Sequence, residues 1–191
     1  MLQQLEQIFL DNFGDAMMQV SEMDKSCCHA CNIDTFHFDN VTKIFFKEVG
    51  VGDCLRSMDI IHFSPDTDTL VYAEMTGYSE YAIRNNKSTD DDCLEYIRDI
   101  VLKGVEFRNK VIHSLFTTLK IANYYEMPAN FYSYFFDALN IHLYLVIDLT
   151  YEQYIFIEGA CIDKLEKHIR NRIEGQIEIL NCPLFAQRLS A

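Results

Sequence analysis

Apolar residues recur at a helical period near the start of the chain, at Leu5, Ile8, Phe9 and Phe13, which predicts a helix over Gln3–Phe13 closed by Gly14. Met17–Asn32 is mixed and reads as a loop or a short helix. Asp34 or Asp39 is placed to cap a second helix, whose apolar face is Phe38, Val41, Ile44, Phe45 and Val49 and which Gly50 and Gly52 would end. The pattern then changes to a strand period. Met58–Phe63 and Thr69–Met75 flank Ser64-Pro-Asp-Thr-Asp68, where proline presets φ and aspartates bond local backbone, so the segment predicts a β-hairpin.

Ile83–Asp92 is polar and reads as a loop, with Ser88, Thr89 or Asp90–Asp92 available to cap the next helix. From Leu94 through Ile97, Val101, Val105, Ile112, Leu115 and Leu119 to Ala122 a helical period persists for roughly thirty residues, with Gly104 placed to break or bend it. Tyr124–Phe136 is aromatic and punctuated by Pro128. Ile141–Leu149 is nearly continuous in apolar character and predicts a buried strand. Tyr151–Ile157 fits no single period, Leu165–Ile173 reads as a helix, and Gln176–Leu180 as a short strand after Gly175. The whole predicts one α/β domain over 1–191, with a central mixed sheet of about four strands flanked by helices. Residues 1–35 form an N-terminal helix and loop, 36–148 the core, and 149–191 a C-terminal helix and strand.

Composition narrows the function classes. The 191 residues include 29 acidic and 16 basic side chains, for a formal charge of −13, and 49% are hydrophobic. That apolar fraction supports a packed core rather than disorder. The acidic balance argues against unaided binding to nucleic acid, whose phosphates are neutralised by Lys and Arg, and against docking on an anionic membrane. The basic stretch Lys164, Lys167, His168, Arg170 and Arg172 reads as a solvated helix face. The N-terminal residues carry Glu6, Asp11 and Asp15 and lack a basic start, and the chain has no long uncharged apolar run, so a cytoplasmic location without a membrane span is expected. The seven cysteines then read as reduced thiols. Cys27, Cys28, His29 and Cys31 are clustered, and Cys28-x-x-Cys31 is half of a zinc spacing. Cys54, Cys93, Cys161 and Cys182 are scattered and supply no second pair, so Zn2+ is not expected.

The candidate chemistry lies in the hairpin. Asp59 stands at the start of one predicted strand and Glu74 near the end of the next. A register opposing Met58–Ile60 to Ala73–Met75 brings the two carboxylates to one edge of the sheet. Two such groups suit Mg2+, a hard cation that prefers oxygen ligands. If the Glu74 face of the strand is covered, its carboxylate needs a partner.

Asp59, fourteen intervening residues, Glu74, one residue and then Thr76 resembles the PD-(D/E)XK, or restriction-endonuclease-like, nuclease superfamily. The phrasing SMDIIHF…LVYAEMTG after FHFDNVTKIFFKEV is similar to small bacterial and phage proteins with that nuclease-like core, in which an Asp-bearing strand, an acidic strand end and a long helix with a Lys-x-x-x-Ser element follow one another. Here that element is Lys110-Val-Ile-His-Ser114. The resemblance spans about residues 36–148. It implies a Mg2+-dependent nuclease, or an effector derived from one, in bacterial or phage defence. Asp59, Glu74 and Lys110 would be catalytic, and Asp59, Glu74 and Glu48 would be metal ligands. The chain departs from the superfamily at Thr76, where a lysine is usual and a hydroxyl cannot supply the charge. Either Lys110 reaches into the site from the long helix, or catalysis has been lost. The second case implies a nuclease-like accessory subunit that works beside a neighbour-encoded protein partner, with nucleic acid contacted only through that partner. A third reading is an acidic nucleic-acid mimic.

Overall fold

The computed structural model describes residues 1–23, 26–51, 56–87, 89–102, 105–157 and 176–190. Helix α1 (Leu2–Phe13) buries Leu2, Leu5, Phe9 and Phe13 in one stripe, as the spacing of its apolar positions requires. Two strands follow where a loop was expected. β1 (Met17–Gln19) pairs antiparallel with β2 (Asp34–His37). Strands this short carry too few residues for an alternation to stand out from its surroundings.

Helix α2 (Phe38–Glu48) leaves β2 directly. Its N-cap is His37, whose Nδ1 accepts from the Asn40 amide at 3.3 Å, rather than Asp34 or Asp39. Asp34 opens β2, and Asp39 lies in the first turn of α2 with its carboxylate bonded to the Ser57 hydroxyl.

The predicted hairpin is present as β3 (Ile60–Ser64) and β4 (Thr69–Thr76), with Ile60 opposite Ala73 and Ser64 opposite Thr69. Its connection is a single 3-10 turn, Pro65–Thr67, ended by Asp68 in the left-handed region at φ 51°. Helix α3 (Tyr78–Asn85) replaces part of the expected polar loop. Tertiary contacts hold it: the Asp148 carboxylate accepts from the Tyr78 and Ser79 amides, and the Tyr78 and Tyr81 rings pack on Tyr96. These are long-range partners that a local period does not reveal.

The helical residues expected from the sequence are present as α4 (Asp90–Leu102) and α5 (Val105–Tyr124); Gly104, where a break or bend was expected, lies outside the described residues, as do Gly52 and Ser88. The aromatic run forms α6 (Phe131–Asp137), which buries Phe131 and Phe135 and exposes Tyr132 and Phe136. Strand β5 (Asn140–Ile147) follows, residues 151–157 form helix α7, and the chain closes with β6 (Gln176–Asn181) and α8 (Cys182–Leu189). The expected helix at 165–173 and its basic side chains lie outside the described residues.

The mixed sheet has six strands rather than about four, in the order β1-β2-β3-β4-β5-β6. β1 to β4 are mutually antiparallel neighbours, whereas β4, β5 and β6 run parallel. The parallel step from β4 to β5 needs a long crossover, and helices α3 to α6 supply it.

Both faces of the sheet are covered. On one, Ile61, Leu70, Tyr72, Leu143 and Leu145 pack with residues of α1, α2 and α5. On the other, Val71, Ala73, Met75, Tyr144 and Val146 pack with Phe185 of α8 and with Val20, Met23 and Cys28. Strand β4 is thus lined with apolar residues on both sides, and Glu74 interrupts the first face. No helix among the described residues is long and apolar enough to cross a membrane.

Candidate active site

The start of β3 is pinned from three directions. The Phe38 amide, at the head of α2, donates to the Asp59 carbonyl at 2.8 Å. The Met58 amide donates to the hydroxyl of Ser114, a fully buried residue of α5, also at 2.8 Å. His113 Nδ1 donates to the Arg56 carbonyl at 3.2 Å. Asp59 therefore stands on a fixed backbone. Its Oδ2 accepts from the Met75 amide at 2.8 Å, which ties the first residue before β3 to the end of β4.

The β3–β4 ladder ends at the Ile60–Ala73 pair, and Asp59 and Glu74 are the next residue on each side. The two carboxylates are close enough that the Asp59 charge raises Glu74, and both feel Lys110 of α5 and Asp39 of α2. Lys110 of α5 donates to Glu74 Oε1, and each of these two side chains is only 18% exposed. Glu74 Oε2 is buried and has no hydrogen-bond partner among the described residues. A carboxylate oxygen left so is costly, which makes it the most telling atom of the region.

This face of β4 meets the helices at every second residue. Tyr72 and Thr118 share a hydroxyl hydrogen bond of 2.7 Å, Glu74 meets Lys110, and Thr76 bonds the Tyr96 hydroxyl at 2.6 Å. Lys110, Ser114 and Thr118 are four residues apart on α5 and form one polar line within its buried face. Thr76, at the position where the superfamily pattern has lysine, is thus engaged by a tyrosine, and the ammonium beside Glu74 comes from the helix.

A third acid lies close by. Asp39, in the first turn of α2, accepts from Ser57, and Ser57 in turn accepts from Thr42 at 3.3 Å. Glu48 does not reach this region. It is exposed at the opposite end of α2, where its Oε2 accepts from the Tyr125 hydroxyl at 2.9 Å. Glu48 is nearer to Asp59 in sequence, but it is the head of α2 that meets this region, through the Phe38 amide on the Asp59 carbonyl and Asp39 on Ser57. The FHFDN phrase places Asp39 within two residues of the His37 cap, a local signal that does not reveal this long-range contact.

Electrostatics reflect three acids around one ammonium. Burial, reinforced by the neighbouring Asp59 charge, pushes Glu74 up to about 8 although Lys110 pulls it down. Burial also raises Asp59; Lys110 and the Met75 amide oppose that, and Asp39 adds to it. Lys110 is held above its ordinary value by Glu74, Asp59 and Asp39, which outweigh its burial. The ammonium is the settled charge and the carboxylates are the groups that lack compensation. The three carboxylates are oxygen donors, but among the described residues only Cys27, Cys28 and Cys182 bring three ligand atoms within 4.8 Å of one another.

The cysteines are arranged differently from the sequence expectation. Cys182, expected to be an isolated thiol, forms a disulfide with Cys28 across 154 residues of sequence. Cys31 is buried and remains free, so the Cys28-x-x-Cys31 spacing does not gather as a pair. Cys54 and Cys161 lie outside the described residues. Cys27 lies beside the disulfide, and burial together with Asp148 pushes its thiol up to about 12, which removes it from consideration as a nucleophile.

No protein-family model, no curated protein and no solved structure matches this chain. The site therefore rests on its own geometry.

Proposed function

We propose that the chain is a nuclease-like protein whose Asp59–Glu74–Lys110 site binds Mg2+ and hydrolyses phosphodiester bonds. The observation that carries this reading is the buried, unpartnered Oε2 of Glu74 between Asp59 and the Lys110 ammonium. Asp59 and Glu74 would hold the ion, with Asp39 as the third acid of the neighbourhood in place of Glu48. A divalent ion bound there supplies a Lewis acid for the scissile phosphate and lowers the pKa of bound water.

The chain's own groups have separate parts in this scheme. Asp59 is oriented by the Met75 amide, which leaves its second oxygen for a ligand. Lys110 presents a permanent positive charge where the attacking water and the phosphate would meet, and thereby substitutes for the lysine absent at Thr76. Ser114 and His113 are positioning residues: they fix the backbone at residues 56 and 58 and thus Asp59. The restriction-endonuclease-like reading of the fold is supported by the order of elements, with a helix, an Asp-bearing strand, an acidic strand end and a long helix carrying Lys110-x-x-x-Ser114. The position of Glu74 near the C-terminal end of β4, beside parallel β5, also suits ligand binding in α/β sheets.

A specific observation favours the accessory-subunit reading as the second one. The Lys110–Glu74 pair is mostly covered and Thr76 is bound to Tyr96, in a chain whose charge of −13 repels a nucleic-acid backbone.

The test is cleavage of single- and double-stranded DNA and of RNA by the purified chain with Mg2+ or Mn2+, beside the Asp59→Asn and Lys110→Met variants. Metal-dependent cleavage that both variants lose supports hydrolysis. Absence of cleavage, with no Mg2+-dependent rise in melting temperature, overturns it. Mg2+ binding without cleavage selects the accessory subunit.

A further inference from the structure

On the face of the sheet away from Glu74, three sulfurs meet. Cys27 Sγ lies 3.9 Å from Cys28 Sγ and 3.8 Å from Cys182 Sγ, and the three fall within 4.8 Å of one another. We propose that, in the reduced chain, Cys27, Cys28 and Cys182 bind one Zn2+ ion as thiolates, and that the Cys28–Cys182 disulfide is the oxidised, metal-free form of the same site.

The spacing is the first argument. A tetrahedral zinc with Zn–S bonds of about 2.3 Å holds its sulfurs about 3.8 Å apart. Both distances from Cys27 match that edge, and Cys27, the chain neighbour of Cys28, is itself outside the disulfide and keeps a thiol to offer. The donor type is the second. Three thiolates select a soft or borderline d10 ion over Mg2+ or Ca2+, so this site and the carboxylate site would not compete for one metal.

The supporting frame is the third argument. Cys28 is buried in the second core cluster, its amide donating to the Ser26 hydroxyl at 3.1 Å, and the Cys31 amide closes a turn on the Cys28 carbonyl at 3.0 Å. Cys182 is the first residue of α8, after the Asn181 cap, where the helix dipole favours a thiolate. The cage is thus assembled from two segments far apart in sequence, with Cys27 and Cys182 on its half-exposed flank. That flank leaves the fourth position to a water. Cys31 stands outside the group.

Loading the site from the disulfide form needs a thiol reductant. Two equivalents of RSH reduce Cys28–Cys182 to two thiols and are themselves oxidised to RSSR. Zn2+ then displaces three protons from the three thiols. In either state the segment before β2 stays fastened to the head of α8, so the fold is retained while the metal is gained or lost.

The proposal is independent of phosphodiester hydrolysis, and its test reads metal directly. The full-length chain is reduced with excess thiol, loaded with Zn2+ and desalted, and bound zinc is measured by elemental analysis. Loading with Co2+ instead gives thiolate charge-transfer bands that report the ligand set. About one zinc per chain is expected for the wild type and for Cys31→Ser, and little for Cys27→Ser or Cys182→Ser. Cys27→Ser keeps its disulfide, so its fold is checked in the oxidised form. The oxidised wild type is expected to retain no zinc. The proposal is overturned if the reduced wild type holds none, if Cys27→Ser or Cys182→Ser retains a full equivalent, if Cys31→Ser loses it, or if the oxidised chain binds as tightly as the reduced one.

Discussion

Lys110 and Ser114 stand one turn apart on α5 and grip two different strands: the ammonium donates to Glu74 on β4, and the hydroxyl accepts from the Met58 amide ahead of β3 at 2.8 Å. One helix face therefore sets the spacing between the two carboxylates. Asp59 closes the arrangement by accepting from the Met75 amide, so the helix and the hairpin constrain each other. The chemistry of the region depends on this frame as much as on the acids themselves.

Ser114→Ala removes the acceptor of a buried backbone amide. Leaving such a donor unsatisfied costs about 1–3 kcal/mol. The expected outcome is a lower midpoint in urea denaturation with an unchanged slope. Ser114→Thr, which keeps the hydroxyl, should recover most of the loss if the added methyl is accommodated. Equal midpoints for the wild type and the alanine variant would show that Met58 finds another partner.

Lys110→Met keeps an unbranched apolar stem and removes the ammonium group. Glu74 then loses the group that lowers its pKa, so its carboxyl is protonated over a wider range. Phosphodiester cleavage should fall by roughly 100-fold or more, as for other losses of preorganised charge. Circular dichroism should show the fold retained near pH 6, where the neutral carboxyl needs no cation. A Lys110→Met variant as active as the wild type would remove Lys110 from the mechanism.

Glu74 also predicts a pH dependence of stability. Its native pKa is raised from 4.5 to about 8 by burial and by Asp59. Between those values the native chain holds a proton that the unfolded chain has released. Stability is thus full below about pH 4.5 and falls as pH rises toward about 8, by roughly 3–5 kcal/mol if Glu74 acts alone. Asp59, also raised, contributes in the same direction. Melting temperatures measured across that window should decline, and Glu74→Gln should flatten the decline. Saturating Mg2+ should flatten it as well, because the ion stabilises the ionised carboxylates. A level wild-type profile would mean that Lys110 keeps Glu74 ionised throughout.

Much of this frame can be read in the chain, and the exceptions have physical causes. The hairpin is legible from the Ser64–Asp68 turn between two apolar runs, and its register brings Asp59 and Glu74 to the same end of the ribbon. Tyr72, Glu74 and Thr76 fall on one face by period alone, but their partners Thr118, Lys110 and Tyr96 are set by the packing of helices on that face. β1 and β2 are too short to declare themselves, and the turns of α3 are held by Asp148, nearly seventy residues away. The Cys28–Cys182 bond spans 154 residues, a distance at which spacing carries no information.

Asp39 and Glu48 provide the last test, because they occupy opposite ends of the same helix. Asp39 raises both Asp59 and Glu74 and bonds Ser57, whereas Glu48 is exposed and bonds Tyr125. If the carboxylates at the head of α2 hold a divalent ion, Asp39→Asn should weaken Mg2+ binding by about tenfold, the usual effect of losing a group that tunes or orients a metal site. Glu48→Gln should leave it unchanged and alter stability by less than about 1 kcal/mol, since it removes only the charge of an exposed acceptor and leaves an amide oxygen for the Tyr125 hydroxyl. Isothermal titration with Mg2+ on both variants separates the two. A loss of affinity in Glu48→Gln, with none in Asp39→Asn, would place the metal at the wrong end of α2 and dismantle the Asp59–Glu74 site.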